Sequence, residues 1–359
     1  MRLRLLDLGG VSGLRSQAVY HALGESISEG AMDTLAILHP TNPYVSLGFH
    51  RDLDTDVDTA FCRERGLPVY RRRVGGGTVY LDADQVFFQL ILQERRARTS
   101  VANAYAEFLG PAAVAYWALG VPAELMGVND LAVDGRKLSG TGMATIGNAV
   151  VVVGNVIRDL DHASMAGIMQ LPDDTARTWV ETSMRRWVTS IQGELGSKPS
   201  YARVATELVK AYAAWAGEPL VPGRLSDREL DQIRTTERRL ESSEWLHREG
   251  YERPAAHAAT PVRRVKIRAG RWDAFFDWAS GDQPIRVYMS ADGGVLEAIR
   301  FARIGGAADV DAPLRALEGS LPGTNGGAVD LAERLASTVP AADANRLAGL
   351  LAIAARPDG

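Results

Sequence analysis

Arg71-Arg72-Arg73-Val74-Gly75-Gly76-Gly77-Thr78-Val79-Tyr80-Leu81-Asp82 sets three guanidinium groups almost against three bare backbone units. Guanidinium forks suit phosphate or carboxylate. Consecutive glycines let the backbone approach a ligand closely and reach positive φ. With β-type residues following, the stretch points to an anion held against backbone beside a strand. A turn with a solvated basic face is the competing account of the glycines alone. The stretch is not a P-loop, since no Gly-Lys-Ser/Thr follows. Nor does it have the G-x-G-x-x-G spacing of a dinucleotide fingerprint.

A second element runs Asn129-Asp130-Leu131-Ala132-Val133-Asp134-Gly135-Arg136-Lys137-Leu138-Ser139-Gly140-Thr141-Gly142. Asp134-Gly135 is a strong type I′ turn signal, so Leu131–Val133 and Arg136–Ser139 read as a hairpin. A lone lysine is ordinarily a solvated surface residue. Lys137, however, leads into small residues that leave room for a ligand, beside which it becomes a point charge. Asn129 and Asp130 precede the hairpin. One amide and one carboxylate suit a hydrated Mg²⁺ that is bound chiefly by phosphate; a strand-entry turn is the other reading.

In order and spacing, the two elements resemble the lipoate–protein ligase family, within the wider biotin/lipoate ligase fold. Its pattern is R-R-x-S-G-G-G-A-V-[FY]-H-D, then N-D near a hairpin, then G-x-K-[VIL]-S-G-[ST]-A. The resemblance covers about residues 10–250, with 262–355 similar to the family's small accessory domain. It implies an α+β fold: a class II synthetase-like, biotinyl/lipoyl ligase-like central mixed β-sheet flanked by helices, plus a small α+β C-terminal domain. It also implies an ATP-dependent ligase that makes lipoyl- or octanoyl-AMP and passes the acyl group to a lysine of an acceptor protein.

By the same resemblance, Lys137 is the catalytic residue, on the carbonyl and phosphate oxygens. Gly75, Gly76 and Gly77 run along the acyl-adenylate, and Thr78, Val79 and Tyr80 face the adenine. Arg72 and Val74 lie at the acyl pocket, and Ser139, Gly140 and Thr141 complete the acyl-AMP site. Asn129, Asp130 and Asp82 serve phosphate and Mg²⁺, with Asp130 as the metal ligand. Cofactors are ATP and Mg²⁺, and lipoate is a substrate. The partner is a lipoyl-acceptor domain of the H-protein, E2 or lipoate-binding-protein type, with no nucleic acid and no membrane. Three positions depart from the family: Val74 replaces serine, Leu81 replaces histidine, and Ile146-Gly147 stands for His-Gly. They leave the acyl donor open.

Other readings remain. An octanoyl or lipoyl transferase working through an acyl-cysteine thioester needs a nucleophilic cysteine near the lysine. The one cysteine, Cys62, lies upstream in a helix-like segment and reads as a small buried residue. Biotin ligase would show alternating glycine and arginine in its loop. A non-catalytic lipoyl-protein-binding relative is the third alternative.

The elements that must position these residues follow from pattern. Of 359 residues, 46% are apolar and 23% charged, with net charge -4, so the chain has ample core and no global basic signature. A single cysteine excludes an intrachain disulfide and fits a reducing cytoplasm. The N-terminal segment lacks a sustained apolar region, and no run is long enough to span a bilayer. The six histidines are scattered without metal-ligand spacing. Residues 14–29, 56–66 and 101–119 read as helices, and 33–39, 44–48, 85–92 and 149–157 as strands. From 160 to 250 the chain is helical, including 201–215 and 226–248. These readings give a catalytic domain at 1–250, a linker at 251–261 and an accessory domain at 262–359. The last is expected to hold strands at 262–268, 284–290 and 295–301 and helices at 311–319, 328–338 and 341–355. Arg263–Arg268 reads as the solvated face of an edge strand, or as a surface meeting an acidic acceptor.

Overall fold

The computed structural model describes residues 1–27, 31–93, 100–248, 262–280, 283–305 and 310–356. The linker expected at 251–261 lies outside the described residues. The chain forms two compact units, one of Met1–Gln170 with Arg185–Glu252, the other of Leu171–Met184 with Arg253–Gly359.

In the first unit the chain runs β1 (Leu3–Val11), α1 (Gly13–Ser26), β2 (Asp33–Pro40), β3 (Tyr44–Leu47), α2 (Leu53–Asp56), α3 (Thr59–Glu64), β4 (Val69–Arg71), β5 (Val79–Leu81), β6 (Gln85–Gln93) and α4 (Val101–Ala118). It continues through β7 (Glu124–Met126), β8 (Asp130–Val133), β9 (Arg136–Ser139), β10 (Thr141–Ile146), β11 (Ala149–Ile157) and α5 (His162–Gly167). After α6 (Asp174–Trp187) come α7 (Ile191–Leu195), α8 (Tyr201–Ala216), β12 (Val221–Pro222), α9 (Asp227–Leu240) and α10 (Ser243–Leu246).

Six strands form the central sheet in the order β10-β11-β6-β2-β1-β12. The β1 pairings are parallel, and those joining β2, β6, β11 and β10 are antiparallel, so the sheet is mixed. Strand β6 (Gln-Val-Phe-Phe-Gln-Leu-Ile-Leu-Gln) is buried throughout. Its alternate side chains enter two cores. Phe88, Leu90 and Leu92 join Phe108 and Tyr116 of α4 and Leu208 and Tyr212 of α8. Phe87 and Ile91 join Val19, Ala22 and Leu23 of α1 and Ile233 and Leu240 of α9. Helices on both faces explain the near-continuous apolar run. Two small sheets, β4-β3-β5 and β7-β8-β9, carry the two sequence elements of interest.

The helix expected at 56–66 is present as α3, shortened to Thr59–Glu64 and capped by Asp58. A separate short helix, α2, capped by Asp52, precedes it, and the chain is extended between the two at Val57. Segment 171–184, read from sequence as part of the first domain, belongs to the second unit. There Asp173 accepts from Arg286 Nη1 at 2.8 Å and Tyr288 Oη at 2.7 Å, and Trp179 Nε1 donates to Ser290 Oγ at 2.9 Å.

The second unit carries an antiparallel sheet of β13 (Arg263–Arg268), β14 (Arg271–Ser280), β15 (Gln283–Asp292) and β16 (Val295–Arg303). Helices α11 (Ala312–Ser320), α12 (Ala328–Leu335) and α13 (Ala341–Ala355) pack their leucines against Phe276, Trp278, Val287 and Met289. Strand β14 was not among the expected strands. Its charged residues Asp273 and Asp277 interrupt the apolar alternation, yet Asp273 is fully buried. Among the described residues, no helix is long and apolar enough to cross a membrane.

Candidate active site

The hairpin that carries Lys137 turns at Asp134 (φ 47°) and Gly135 (φ 72°), both in the left-handed region that a type I′ turn requires. In the β8–β9 ladder Lys137 stands opposite Ala132, and Asp130 lies two residues earlier in β8. Lys137 Nζ lies 2.8 Å from Asp130 Oδ1, with the carboxylate side chain 1% exposed and the lysine 22%. A positive charge is thus held at the edge of the site by a buried anion. Asn129 Nδ2 donates to Thr141 O at 3.3 Å, and Thr141 Oγ1 donates back to Asn129 O. These bonds tie the chain before β8 to the start of β10.

The arginine run behaves differently from a set of free anion-binding forks. Arg71 is fully buried and donates to the carbonyls of Phe49, Arg51, Leu246 and Arg248, locking the end of the unit to the β3 loop. Arg72 grips the glycine loop itself: its guanidinium donates to Gly75 O at 2.8 Å and Gly77 O at 2.6 Å, and to Ser46 O at 2.8 Å. Arg73 pairs with Glu25 at 2.5 Å, while its N–H donates to His21 Nε2 at 3.1 Å. Burial, with Arg239 and Arg73 nearby, holds the His21 imidazole well below its ordinary range, so it is neutral. All three guanidinium groups are therefore engaged within the protein, and of the three it is Arg72 that bonds the glycine loop. What the loop presents is backbone.

Gly76 has φ 93°, and Gly48 must remain small because a Cβ there would lie 1.9 Å from Gly76 O. Gly77 faces open space, with nothing within 4 Å of an added Cβ. Thr78 is buried, and among the described residues its Oγ1 finds no hydrogen-bond partner. Tyr80 N–H points at Met165 Sδ (3.1 Å), and burial, with Asp82 and Asp161, pushes its phenol up to about 12. Asp82 accepts the Asp84 N–H at 2.9 Å; burial, and the neighbouring carboxylates Asp84, Asp161 and Asp159, raise its pKa. Its surroundings are acidic, unlike the ion-paired setting of Asp130.

The two sequence elements meet. A Cβ on Gly142 would lie 3.3 Å from Val74 Cβ and 3.8 Å from Gly75 O. Ser139 is fully buried and donates to Asn155 O at 2.6 Å, so its hydroxyl faces inward; Gly140 N–H donates to Asn155 Oδ1 at 2.8 Å. Asn155 Nδ2 donates to Gln85 Oε1 at 2.7 Å, and Gln85 Nε2 donates to Tyr80 O at 3.3 Å. Asn155 and Gln85 were not among the expected site residues. The signal was the lone amide Asn155 in an apolar strand; Gln85 is one of three glutamines in β6. Val74, Leu81 and Ile146 are all buried in one core, Ile146 against Gly24 of α1. Among the described residues, no three His, Cys, Asp or Glu side chains gather as metal ligands. Asp130 offers a single, ion-paired carboxylate, so the residues do not make a protein-only Mg²⁺ site.

Residues 12–213 match the family model described as the lipoyl protein ligase A/B catalytic domain. The chain is 22% identical over 267 residues to an octanoyltransferase LipM of Moorella thermoacetica, covering 68% of this chain and 97% of that protein. It is 28% identical over 176 residues to lipoate-protein ligase LplJ of Bacillus subtilis, covering 48% of this chain and 52% of that one. A solved structure, lipoate-protein ligase A bound with ATP, has the same fold with a TM-score of 0.60 at 19% identity, covering 70% of this chain and all of its own. The α+β architecture with a central mixed sheet, the apposed glycine loop and lysine hairpin, and the match over residues 12–213 agree: the chain belongs to the lipoyl protein ligase A/B catalytic domain family.

Proposed function

We propose that the protein activates lipoate, or octanoate, with ATP and transfers the acyl group to a lysine of a lipoyl-acceptor domain. A carboxylate oxygen of the acid attacks the α-phosphorus, and pyrophosphate leaves. The acceptor amine then attacks the carbonyl of the mixed anhydride. The acyl–phosphate C–O bond breaks, AMP leaves and an amide forms, with the amine proton passing to solvent.

The observation that carries this reading is the approach of Gly142 to Val74, which sets the Gly75–Gly77 loop, open at Gly77, beside the strand that follows Lys137. A fixed ammonium near developing phosphate and carbonyl charge lowers the barrier without reorganisation. Bare glycines admit an acyl-adenylate along the backbone, and the unpartnered Thr78 hydroxyl supplies a hydrogen bond to it. Asp130 holds the lysine in place. No step is assigned to a metal.

The second reading, transfer from an acyl-protein donor without ATP, is favoured by the likeness to the Moorella octanoyltransferase over nearly its whole length. A thioester route needs a thiolate. Cys62 is the one cysteine. It is buried in α3, and burial with Asp58 pushes its thiol up to about 11. Incubation with ATP, lipoate and an acceptor domain tests the proposal: it predicts an acceptor carrying one lipoyl amide and release of pyrophosphate. Acyl transfer that proceeds only from an acylated protein, without nucleotide, would replace it.

A further inference from the structure

The glycine loop and Lys137 belong to different small sheets, β4-β3-β5 and β7-β8-β9. Between them stand two side chains of the central sheet. Gln85 begins β6 and Asn155 lies near the end of β11, where the two strands pair. Gln85 is 2% exposed and Asn155 7%. Four groups line up with one direction of donation. Gly140 N–H donates to Asn155 Oδ1, Asn155 Nδ2 donates to Gln85 Oε1, and Gln85 Nε2 donates to Tyr80 O.

That direction is forced at both ends. The Gly140 amide can only donate, so Asn155 must turn its oxygen toward it. The Tyr80 carbonyl can only accept, so Gln85 must turn its nitrogen there. The remaining amide halves then face each other as donor and acceptor. Reversing either side chain sets like groups against each other in a buried site, where an unmade hydrogen bond is costly.

We propose that Asn155 and Gln85 are positioning residues that set the spacing between the Gly75–Tyr80 segment and the Lys137 strand. Neither touches the reacting atoms in this account. The inference rests on the acyl-adenylate reading for its kinetic consequence, though not for its structural one.

The test uses the full chain with Asn155→Asp and, separately, Gln85→Met. An ionised carboxylate at 155 cannot donate to Gln85 Oε1, whereas a protonated one can. Gln85→Met removes the arm to Tyr80 together with the acceptor of Asn155 Nδ2, and leaves the bonds of Asn155 to Gly140 and Ser139. Lipoate-dependent ATP–pyrophosphate exchange should lose about ten-fold to a hundred-fold in kcat, with KM for ATP and lipoate nearly unchanged, because misplacement by about 1 Å is enough for such a loss. For Asn155→Asp the deficit relative to wild type should shrink as pH falls. Measuring wild type at each pH cancels the titration of Tyr80 and Asp82. Backbone amides of residues 75–80 should exchange hydrogen faster in both variants while the melting transition stays cooperative. Unchanged loop exchange would overturn the proposal, as would a kcat loss that merely tracks loss of folded protein. If wild type itself shows no pyrophosphate exchange, the adenylation reading fails, and hydrogen exchange in the loop alone decides the positioning role.

Discussion

Gly142 packs against Val74, with room for a methyl group only at 3.3 Å from Val74 Cβ and 3.4 Å from its Cγ2. One residue belongs to the strand after Lys137 and the other opens the glycine loop, so their contact fixes how closely the two motifs approach. Gly142→Ala should fold but push the loop outward, at a cost of roughly 1 kcal/mol from overpacking. Pyrophosphate exchange should fall several-fold. Val74→Ser removes the crowding methyl, so the double variant should recover part of the loss. A double-mutant cycle in exchange rate checks this, and additive effects would contradict it.

The glycines separate structural need from ligand need. Gly48→Ala sets a Cβ 1.9 Å from the Gly76 carbonyl, a backbone atom that must move. That variant should lose both melting temperature and activity. Gly77→Ala meets nothing within 4 Å, so its stability should stay within about 0.5 kcal/mol of wild type. Its activity should nevertheless drop, with KM raised, because the methyl group enters the space assigned to the acyl-adenylate. Wild-type kinetics for Gly77→Ala would move the ligand elsewhere.

How much of this was readable in the sequence differs by residue. The Asp134-Gly135 turn, the buried strand at 85–93 and the helices of the second unit follow from local pattern, and local pattern decides them here. Strand β14 escaped notice because its buried Asp273 takes a hydrogen bond at Oδ1 from Ser290, a partner that only tertiary structure supplies. The arginine run was legible as chemistry but not as direction. Whether a guanidinium meets a ligand or its own loop depends on carbonyls brought in by Ser46, Leu246 and Arg248, as much as 177 residues away in the chain. The Gln85–Asn155 line could not be read for the same reason: one of three glutamines in β6 and the single asparagine of β11 gain meaning only when the two strands pair.

Lys137 and Asp130 give a third prediction. Lys137→Met strips the ammonium from a buried carboxylate and should cost roughly 1–3 kcal/mol in stability. It should cost about a hundred-fold or more in exchange, as loss of a preorganised charge does. Asp130→Asn should keep more stability than Lys137→Met, since it leaves no buried anion. Thermal melts beside exchange assays check both. Equal melting temperatures for the two variants would argue that the ion pair is not what holds the lysine.

The second unit carries a pH signature. Burial pushes the Asp273 carboxyl up to about 7, although Ser290 Oγ donates to it at 2.7 Å. The protonated form is therefore favoured by folding, against a value of about 3.9 in an unfolded chain. This contribution to stability is complete below about pH 4 and lost as pH rises through about 7. Asp273→Asn, which cannot ionise, should gain in melting temperature relative to wild type between pH 5 and pH 8. A gap that does not change with pH would show that the carboxyl titrates normally.

The central claim is adenylation by this chain, and ATP–pyrophosphate exchange without acceptor protein tests it most directly. The account predicts exchange that requires lipoate or octanoate, persists in Cys62→Ser and collapses in Lys137→Met. Folded wild-type protein that gives no exchange, yet moves an acyl group from an acylated protein and loses that activity in Cys62→Ser, would contradict it.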